Sequence, residues 1–252
     1  MNSKIVLITG GSRGLGKNMA LHLADRGNDV IITYRSAKGE ADEVVAAIEK
    51  KGRKAIALKL DTSNVVGFSD FAGELQKSLH SKWGRSKFHA LVNNAGTGLG
   101  KPFAETTEKE FDDLMNVHFK GVFFLTQKLL PLIEDKGRIV NISSGLARFS
   151  FPGSSAYASM KGAIEVLTRY LAKELGPRKI SVNTVAPGAI ETDFNGGGVR
   201  DNPQINQFVA SVTALGRPGL PDDIGGAVAM LLSDEMHWMT GQRIEISGGM
   251  ML

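Results

Sequence analysis

The stretch TGGSRGLG, from Thr9 to Gly16, joins an apolar strand pattern (KIVLI) to a helical one (GKNMALHLADRG). Gly10, Gly14 and Gly16 stand where glycine permits a tight turn, close approach of a phosphate, and close packing of helix on strand. The first N–H groups of such a helix attract an anion. We therefore predict a dinucleotide-binding turn. The alternative is an ordinary tight turn between a strand and a helix.

The end of the next strand pattern, DVIITY (Asp29–Tyr34), indicates which dinucleotide is bound. Sites that prefer NAD usually carry an acidic residue there, which binds the ribose 2′-hydroxyl. This strand has no carboxylate at its end, and Arg35 follows Tyr34. Arg35, together with Arg13 of the glycine turn, is suited to a 2′-phosphate. The sequence thus predicts NADP(H), and the alternative is a pair of solvated surface arginines.

Seven short apolar runs alternate with helical patterns along the chain, at residues 4–9, 29–34, 54–60, 90–94, 138–143, 180–185 and 243–247. Apolar residues at consecutive positions are typical of parallel strands covered on both faces. The alternation predicts an α/β protein: a single-domain Rossmann fold with a doubly wound, seven-stranded parallel sheet and helices on both faces.

We expect one domain over residues 1–252, with a cofactor half to about residue 135 and a catalytic and substrate half from about residue 136. The stretch from Glu191 to Gln207 contains a glycine triplet and a lone proline, which predicts a mobile loop.

The composition excludes several classes of site and partner. The chain has no cysteine, so disulfides and thiolate metal sites are excluded, and we expect no metal. The formal net charge is +4, from 30 basic and 26 acidic side chains, which argues against a nucleic-acid partner. No run approaches ~20 apolar residues, and the first residues lack a signal-peptide pattern. We therefore expect no membrane partner and a cytoplasmic location.

Tyr157 and Lys161, in AYASMKGA, are spaced i and i+4 on a helical pattern and so lie on one helix face. A tyrosine with its usual pKa near ~10 is a poor base at neutral pH, and a neighbouring ammonium lowers that pKa. The pair is therefore a candidate acid/base. The alternative is a buried tyrosine beside a lysine whose stem packs on it.

Several motifs occur in one order along nearly the whole chain: TGGSRGLG, LDTSN, NNAG, NISS, YASMK, PGAIET and a closing SGG. Tyr157 follows Ser144 by 13 residues, and Ser144 follows Asn116 by 28. In these motifs and spacings the chain resembles the short-chain dehydrogenase/reductase family. It is most similar to the members that resemble 3-oxoacyl-[acyl-carrier-protein] reductases.

The resemblance implies four catalytic roles. Tyr157 would be the general acid in reduction and the base in oxidation, and Ser144 would hydrogen-bond the substrate oxygen. Lys161 would bind the nicotinamide ribose and lower the pKa of Tyr157. Asn116 would hold a water molecule that relays protons between Lys161 and solvent. The implied reaction transfers a hydride between NADP(H) and a ketone or secondary alcohol.

The resemblance also implies the cofactor contacts and the assembly. Besides Tyr157 and Lys161, the residues expected to contact NADP(H) are Gly10, Ser12, Arg13, Gly14, Leu15, Gly16, Arg35, Asp61, Thr62, Asn93, Ala95, Gly96, Pro187, Gly188, Ile190 and Thr192. Asp61 and Thr62 would lie beside the adenine. The residues from Pro187 onward would meet the nicotinamide end. Family members are commonly homotetramers, so we expect a homotetramer, or else a homodimer.

The substrate is left open by the sequence. In carrier-protein reductases two basic residues are thought to dock the acidic carrier; here Arg178 matches one position, but Asp135 stands at the other. Leu146, Phe149 and Phe151 predict an apolar pocket wall suited to a hydrophobic ketone. The alternatives are a 3-oxoacyl-carrier reductase and a non-catalytic dinucleotide sensor. Retention of both Tyr157 and Lys161 argues against the sensor.

Overall fold

A computed structural model gives the structure of residues 3–252, and it contains all seven predicted strands. The strands are β1 Ile5–Ile8, β2 Asp29–Tyr34, β3 Ala55–Lys59, β4 Phe88–Asn93, β5 Ile133–Ile142, β6 Ser181–Pro187 and β7 Arg243–Ile246. They form one parallel sheet in the order β3-β2-β1-β4-β5-β6-β7. The predicted α/β class and doubly wound sheet are therefore confirmed.

Helices cover both faces of this sheet. They are α1 Gly14–Asp25, α2 Lys38–Lys50, α3 Phe68–Trp83, α4 Glu108–Met115, α5 Gly121–Leu129, α6 Ser155–Glu174, α7 Gly198–Asp201, α8 Pro203–Ser211 and α9 Pro221–Leu231. A single π-helical turn, Asn116–Lys120, joins α4 to α5.

Alternate residues of the strands supply two separate cores. Val6 and Ile8 of β1 belong to the core that includes α1, α2 and α9. Ile5 and Leu7 of the same strand belong to the opposite core, with α3 and α5. All four side chains are buried, because helices cover the sheet on both sides. This double burial explains why the strands are apolar at consecutive positions.

The chain order of the strands positions a crevice. After β3 at one edge, the chain crosses back to place β4 on the other side of β1. The connections at the carboxyl ends of β1 and β4 therefore diverge, and such a switch point is where open α/β sheets bind ligands.

Two sequence expectations differ from the structure. Strand β5 begins at Ile133 rather than Arg138, because Phe88 pairs with Ile133 ahead of a register irregularity. The predicted loop over residues 191–207 instead contains a short 3-10 turn, α7 and the start of α8. Asn195, Gly196 and Gly197 all have positive φ, which lets the chain turn sharply before α7. Within residues 3–252, no helix is both long enough and apolar enough to cross a membrane.

Candidate active site

A cavity of about 690 Å³ opens at the carboxyl end of the sheet, along the crevice beside β1 and β4. Most of the predicted site residues line it, from both halves of the chain. They are Gly10, Ser12, Arg13, Gly14, Leu15, Gly16, Arg35, Asp61, Thr62, Ala95, Gly96, Ser144, Tyr157, Lys161, Pro187, Gly188, Ile190 and Thr192. Asn93 and Asn116 do not line it.

The glycine turn forms one wall of this cavity. Gly14 opens α1 with a φ of +54°, which favours glycine. A Cβ atom on Gly16 would lie 2.1 Å from the carbonyl oxygen of Gly10, so only glycine fits where the helix leaves the turn. The side chain of Arg13 does not cap α1, so it leaves the first turn of the helix open to an anion.

The turn is fixed to the neighbouring strand by hydrogen bonds. Thr9 Oγ1 accepts from the backbone N–H groups of Asn94 and Ala95, at 2.9 and 3.0 Å. The Asn94 amide donates to the carbonyl oxygens of Thr9 and Gly10, at 2.9 and 3.1 Å. These bonds hold the two walls of the crevice together. Asn94 lines the cavity although only its neighbour Asn93 was predicted as a contact.

Two exposed arginines mark the other end of the cavity. Arg13 and Arg35 both line it, and neither forms an ion pair with any residue between 3 and 252. A hydrogen bond from Ser63 and, more weakly, the charge of Arg35 lower the pKa of Asp61 on the same rim. The open helix terminus, the glycine cradle and the two unpaired cations fit a dinucleotide that carries an extra phosphate.

Tyr157, Ser144 and Lys161 meet at the inner end. Tyr157 and Lys161 lie one turn apart on α6, and Ser144 follows β5. Ser144 lies near enough to Tyr157 to act on the pKa of its phenol. The Lys161 ammonium nitrogen donates to the Ile142 carbonyl at 2.7 Å and lies 5.4 Å from the centre of the Tyr157 ring.

The pKa shifts of Lys161 and Tyr157 differ from one expectation. Burial lowers the pKa of Lys161 to about 7. Burial also raises the pKa of Tyr157 above its ordinary value, and only Ser144 opposes it. The expected lowering of the tyrosine pKa by Lys161 is not found, because burial determines the direction of the shift. Tyr157 is half-buried, with one side open to the cavity, and holds its proton at neutral pH.

The sequence model of a protein family described as "Enoyl-(Acyl carrier protein) reductase" matches residues 10–251. The chain belongs to the short-chain dehydrogenase/reductase family. Arp2 of Metarhizium brunneum, a hydroxynaphthalene reductase-like protein, is 37% identical to this short-chain dehydrogenase/reductase. The alignment covers 98% of this chain and 94% of Arp2.

Two solved structures show the same architecture. LugOII, a promiscuous reductase that catalyses keto-reduction at C1 during lugdunomycin biosynthesis, is 38% identical with a TM-score of 0.93. The match covers 99% of this chain and 98% of LugOII. LanV, an angucycline C-6 ketoreductase solved with bound NADP, is 34% identical with a TM-score of 0.93. That match covers 98% of this chain and 95% of LanV. The short-chain dehydrogenase/reductase described here is thus an oxidoreductase with NADP(H) as its cofactor.

The side chain of Asn93 points away from the cofactor crevice, and its contact with the cofactor stays a prediction. Asn93 is buried, and its amide donates to Thr126 at 3.0 Å and to Asn141 at 2.8 Å. Asn141 in turn donates to Thr168 of α6 at 2.9 Å. Asn93 therefore ties β4 to β5 and to the helices behind the sheet.

Asn116 begins the π-helical turn between α4 and α5 and is half-buried, outside the cavity lining. Single π turns of this kind often occur at functional sites. Its role in a proton relay stays a prediction. His118, two residues further on, does line the cavity and contacts Tyr157, although sequence reasoning did not identify it.

An aromatic wall encloses the space beyond Tyr157. Leu146, Phe149 and Phe151 line it as predicted. Phe208 of α8 meets Phe151 with ring centres 5.7 Å apart, and Phe194 meets Tyr157 at 6.0 Å. The cavity lining also includes Val209 and Met250. Phe194, Phe208 and Met250 were not predicted, because the short turn at Phe194, α8 and the segment around Met250 reach the cavity only through the tertiary fold.

A chain of ion pairs, which we call the ionic chain, reaches Ser143 and Ser144 from the side away from the cavity. Arg148 pairs with Glu245, and Arg243 pairs with both Glu245 and Glu165. At one end Glu165 accepts from Ser143 at 2.7 Å, and Arg243 reaches the Ser144 carbonyl at 3.4 Å. At the other end Arg148 donates to the carbonyl oxygens of Met250 and Met251, at 2.8 and 3.2 Å.

Arg178 is occupied by internal contacts. Its guanidinium donates to Asp135 at 2.8 Å and to the carbonyl oxygens of Leu130 and Ile133. Neither Arg178 nor Asp135 lines the cavity. Arg178 is therefore poorly placed to dock an acidic carrier protein.

Proposed function

We propose that this enzyme uses NADPH to reduce the ketone of a fused aromatic molecule. The observation that carries the proposal is the position of Tyr157 and Ser144. They lie beside each other at the point where the cofactor crevice meets the aromatic wall. A flat apolar ketone fits a wall of phenylalanine rings. The relatives named for hydroxynaphthalene and angucycline substrates support this size class.

In the proposed reaction, NADPH supplies the hydride to the carbonyl carbon. Tyr157 donates its proton to the carbonyl oxygen, and the Ser144 hydroxyl hydrogen-bonds the same oxygen. The raised pKa of Tyr157 keeps its phenol protonated at neutral pH, as a proton donor must be. Lys161 would hold the nicotinamide ribose, and its positive charge would favour the phenolate left after the transfer. Asn116 would hold the water that returns a proton.

The remaining predicted contacts would hold the cofactor along the crevice. Arg13 and Arg35 would bind the 2′-phosphate, and Asp61 and Thr62 would lie beside the adenine. The glycine turn, with Ser12 and Leu15, would receive the pyrophosphate at the start of α1. Ala95 and Gly96 would contact the middle of the cofactor. The nicotinamide end would meet Pro187, Gly188, Ile190 and Thr192.

We also propose that the enzyme is a homotetramer, or else a homodimer. Five large side chains are exposed on the stretch α4–α5 and on α6: Phe111, Phe123, Phe124, Val166 and Tyr170. Burial of this face against a second copy would remove it from water. Light scattering tests the assembly: a monomer at micromolar concentration would contradict it.

The test of the reaction is NADPH oxidation with 2-tetralone, a bicyclic aromatic ketone. Wild-type enzyme should turn it over, and Tyr157→Phe should lose about a thousandfold in kcat, as expected for loss of a general acid. NADPH binding, followed by its fluorescence, serves as the control for folding. Turnover of Tyr157→Phe at the wild-type rate would exclude Tyr157 as the proton donor.

A further inference from the structure

His118 is a buried histidine inside the catalytic centre that the proposed chemistry does not use. It lies in the π-helical turn, and its side chain is only 2% exposed. Its ring stands edge-on to the Tyr157 ring, with centres 5.2 Å apart at an interplanar angle of 85°. Edge-to-face pairs at this distance are attractive and directional, so the ring helps to fix the orientation of the tyrosine.

The opposite side of the ring rests on the cofactor wall. A Cβ atom on Gly96 would lie 2.7 Å from His118 Cε1, so the imidazole occupies the space that a side chain at position 96 would need. The ring therefore fills the gap between Gly96 and Tyr157. His118 thus contacts both the cofactor wall and the ring of Tyr157.

One hydrogen bond also ties the ring to this wall. His118 Nε2 lies 2.6 Å from the carbonyl oxygen of Thr97, and this separation requires a hydrogen atom between the two. We therefore assign the proton to Nε2, although the Thr97 N–H also lies 3.2 Å from that nitrogen. Nδ1 is then unprotonated, and it has no partner within the described chain.

His118 stays neutral in this position. Burial, with a smaller contribution from the charge of Lys161, lowers its pKa to about 3. Among residues 3–252, Lys161 is the one charged side chain that shifts the pKa of His118. A neutral ring does not compete with Tyr157 as a proton donor at working pH.

We propose that His118 is a positioning residue, a rigid spacer that holds the cofactor wall at Gly96–Thr97 and the ring of Tyr157 at the separation hydride transfer needs. This inference rests on the proposed function of Tyr157. Misplacement of reacting groups by about 1 Å costs roughly a hundredfold in rate. Loss of the spacer should therefore slow the hydride step itself and leave cofactor affinity nearly intact.

The experiment compares His118→Phe and His118→Gln in single-turnover reduction of 2-tetralone. His118→Phe keeps a flat ring but loses the donor to Thr97, whereas His118→Gln keeps a donor but loses the ring. Each should slow hydride transfer by about tenfold or more, and the dissociation constant of NADPH should change by no more than about threefold. The rate is counted per NADPH-binding site, so a partly unfolded sample does not imitate the effect.

His89→Phe is the matched control, because His89 is also buried, also has an unpartnered ring nitrogen and does not line the cavity. It should alter thermal stability without changing the hydride step. An unchanged hydride step in both His118 variants would overturn the proposal. Loss of an ionisation from the pH profile of kcat in these variants would also overturn it, since His118 would then be a group that transfers protons. Full activity of Tyr157→Phe would instead contradict the proposed function of Tyr157, on which this inference rests.

Discussion

The two ends of the cavity hold their charges in opposite ways. At the outer end, Arg13 and Arg35 stand in solvent, unpaired within residues 3–252. At the inner end, Lys161 is buried and its pKa falls to about 7, while burial raises the pKa of Tyr157. At the outer end, the full positive charges of Arg13 and Arg35 fit a phosphate group. At the inner end, the exclusion of water shifts the pKa values of Lys161 and Tyr157.

The largest expected effect lies at the inner end. Ser144→Ala removes the hydroxyl proposed to stabilise the substrate oxygen, and kcat should fall by a factor of about 10² to 10³. The KM for NADPH should change little, since Ser144 lies at the ketone. Steady-state kinetics with 2-tetralone measure both values. A fall in NADPH affinity that matches the fall in kcat would contradict the assigned role.

Arg35→Asp is the corresponding test of the outer end. The loss of a charged hydrogen bond to phosphate costs about 2 kcal/mol, or roughly thirtyfold in the dissociation constant of NADPH. NADH should bind as well as before or better, because the new carboxylate can accept from a ribose hydroxyl. Fluorescence titration of both cofactors measures the switch. Equal weakening for NADH and NADPH would show that Arg35 does not read the 2′-phosphate.

The buried lysine should also appear in the pH dependence of stability. Because the pKa of Lys161 is about 7 in the folded protein and near its ordinary value when unfolded, the unfolded chain binds one more proton between these values. The free energy of unfolding should therefore gain up to about 1.4 kcal/mol per pH unit from this group above pH 7. Urea melts at pH 7.5 and 9.5, without cofactor, test this.

In Lys161→Met that contribution should vanish, so the variant should gain less stability than wild type over the same interval. The raised pKa of Tyr157 acts only above pH 10 and does not interfere. Equal gains in the two proteins would mean that the folded state keeps Lys161 charged at pH 9.

The smallest expected effect concerns the aromatic wall. Phe208→Ala removes a half-exposed ring that contacts Phe151, and the KM for 2-tetralone should rise by about fivefold, equivalent to about 1 kcal/mol. The KM and the dissociation constant of NADPH should stay at wild-type values, since Phe208 lies on α8, far from the glycine turn in the sequence. Tyr170→Ala, on the exposed face of α6, is the control. A similar rise in KM in both variants would separate Phe208 from the substrate site.

The features foreseen from the sequence are the local ones. The strands were predictable because a parallel strand with helices on both faces is apolar at every position, as Ile5 to Ile8 show. The glycine turn and the Tyr157–Lys161 pair were also predictable, since each is set by spacing within one turn or one helix.

The missed features depend on tertiary placement. Asn93 and Asn94 are adjacent, and the sequence does not show which of the two side chains faces the crevice. That depends on the residue at which β4 ends. Phe208 and Met250 reach the cavity from elements far from the catalytic motif. The direction of the Tyr157 pKa shift needs the extent of burial, which no motif contains.

The ionic chain holds the segment from Met250 to Leu252, whose residues differ sharply in exposure. Met250 is 3% exposed and lines the cavity, whereas Leu252 is 95% exposed. A fluorophore attached to a cysteine at position 252 would thus stand outside the cavity, only two residues from a side chain that lines it. Such a label would report on motion near the cavity, because the ionic chain links Met250 to the backbone of Ser144 through Arg148 and Arg243.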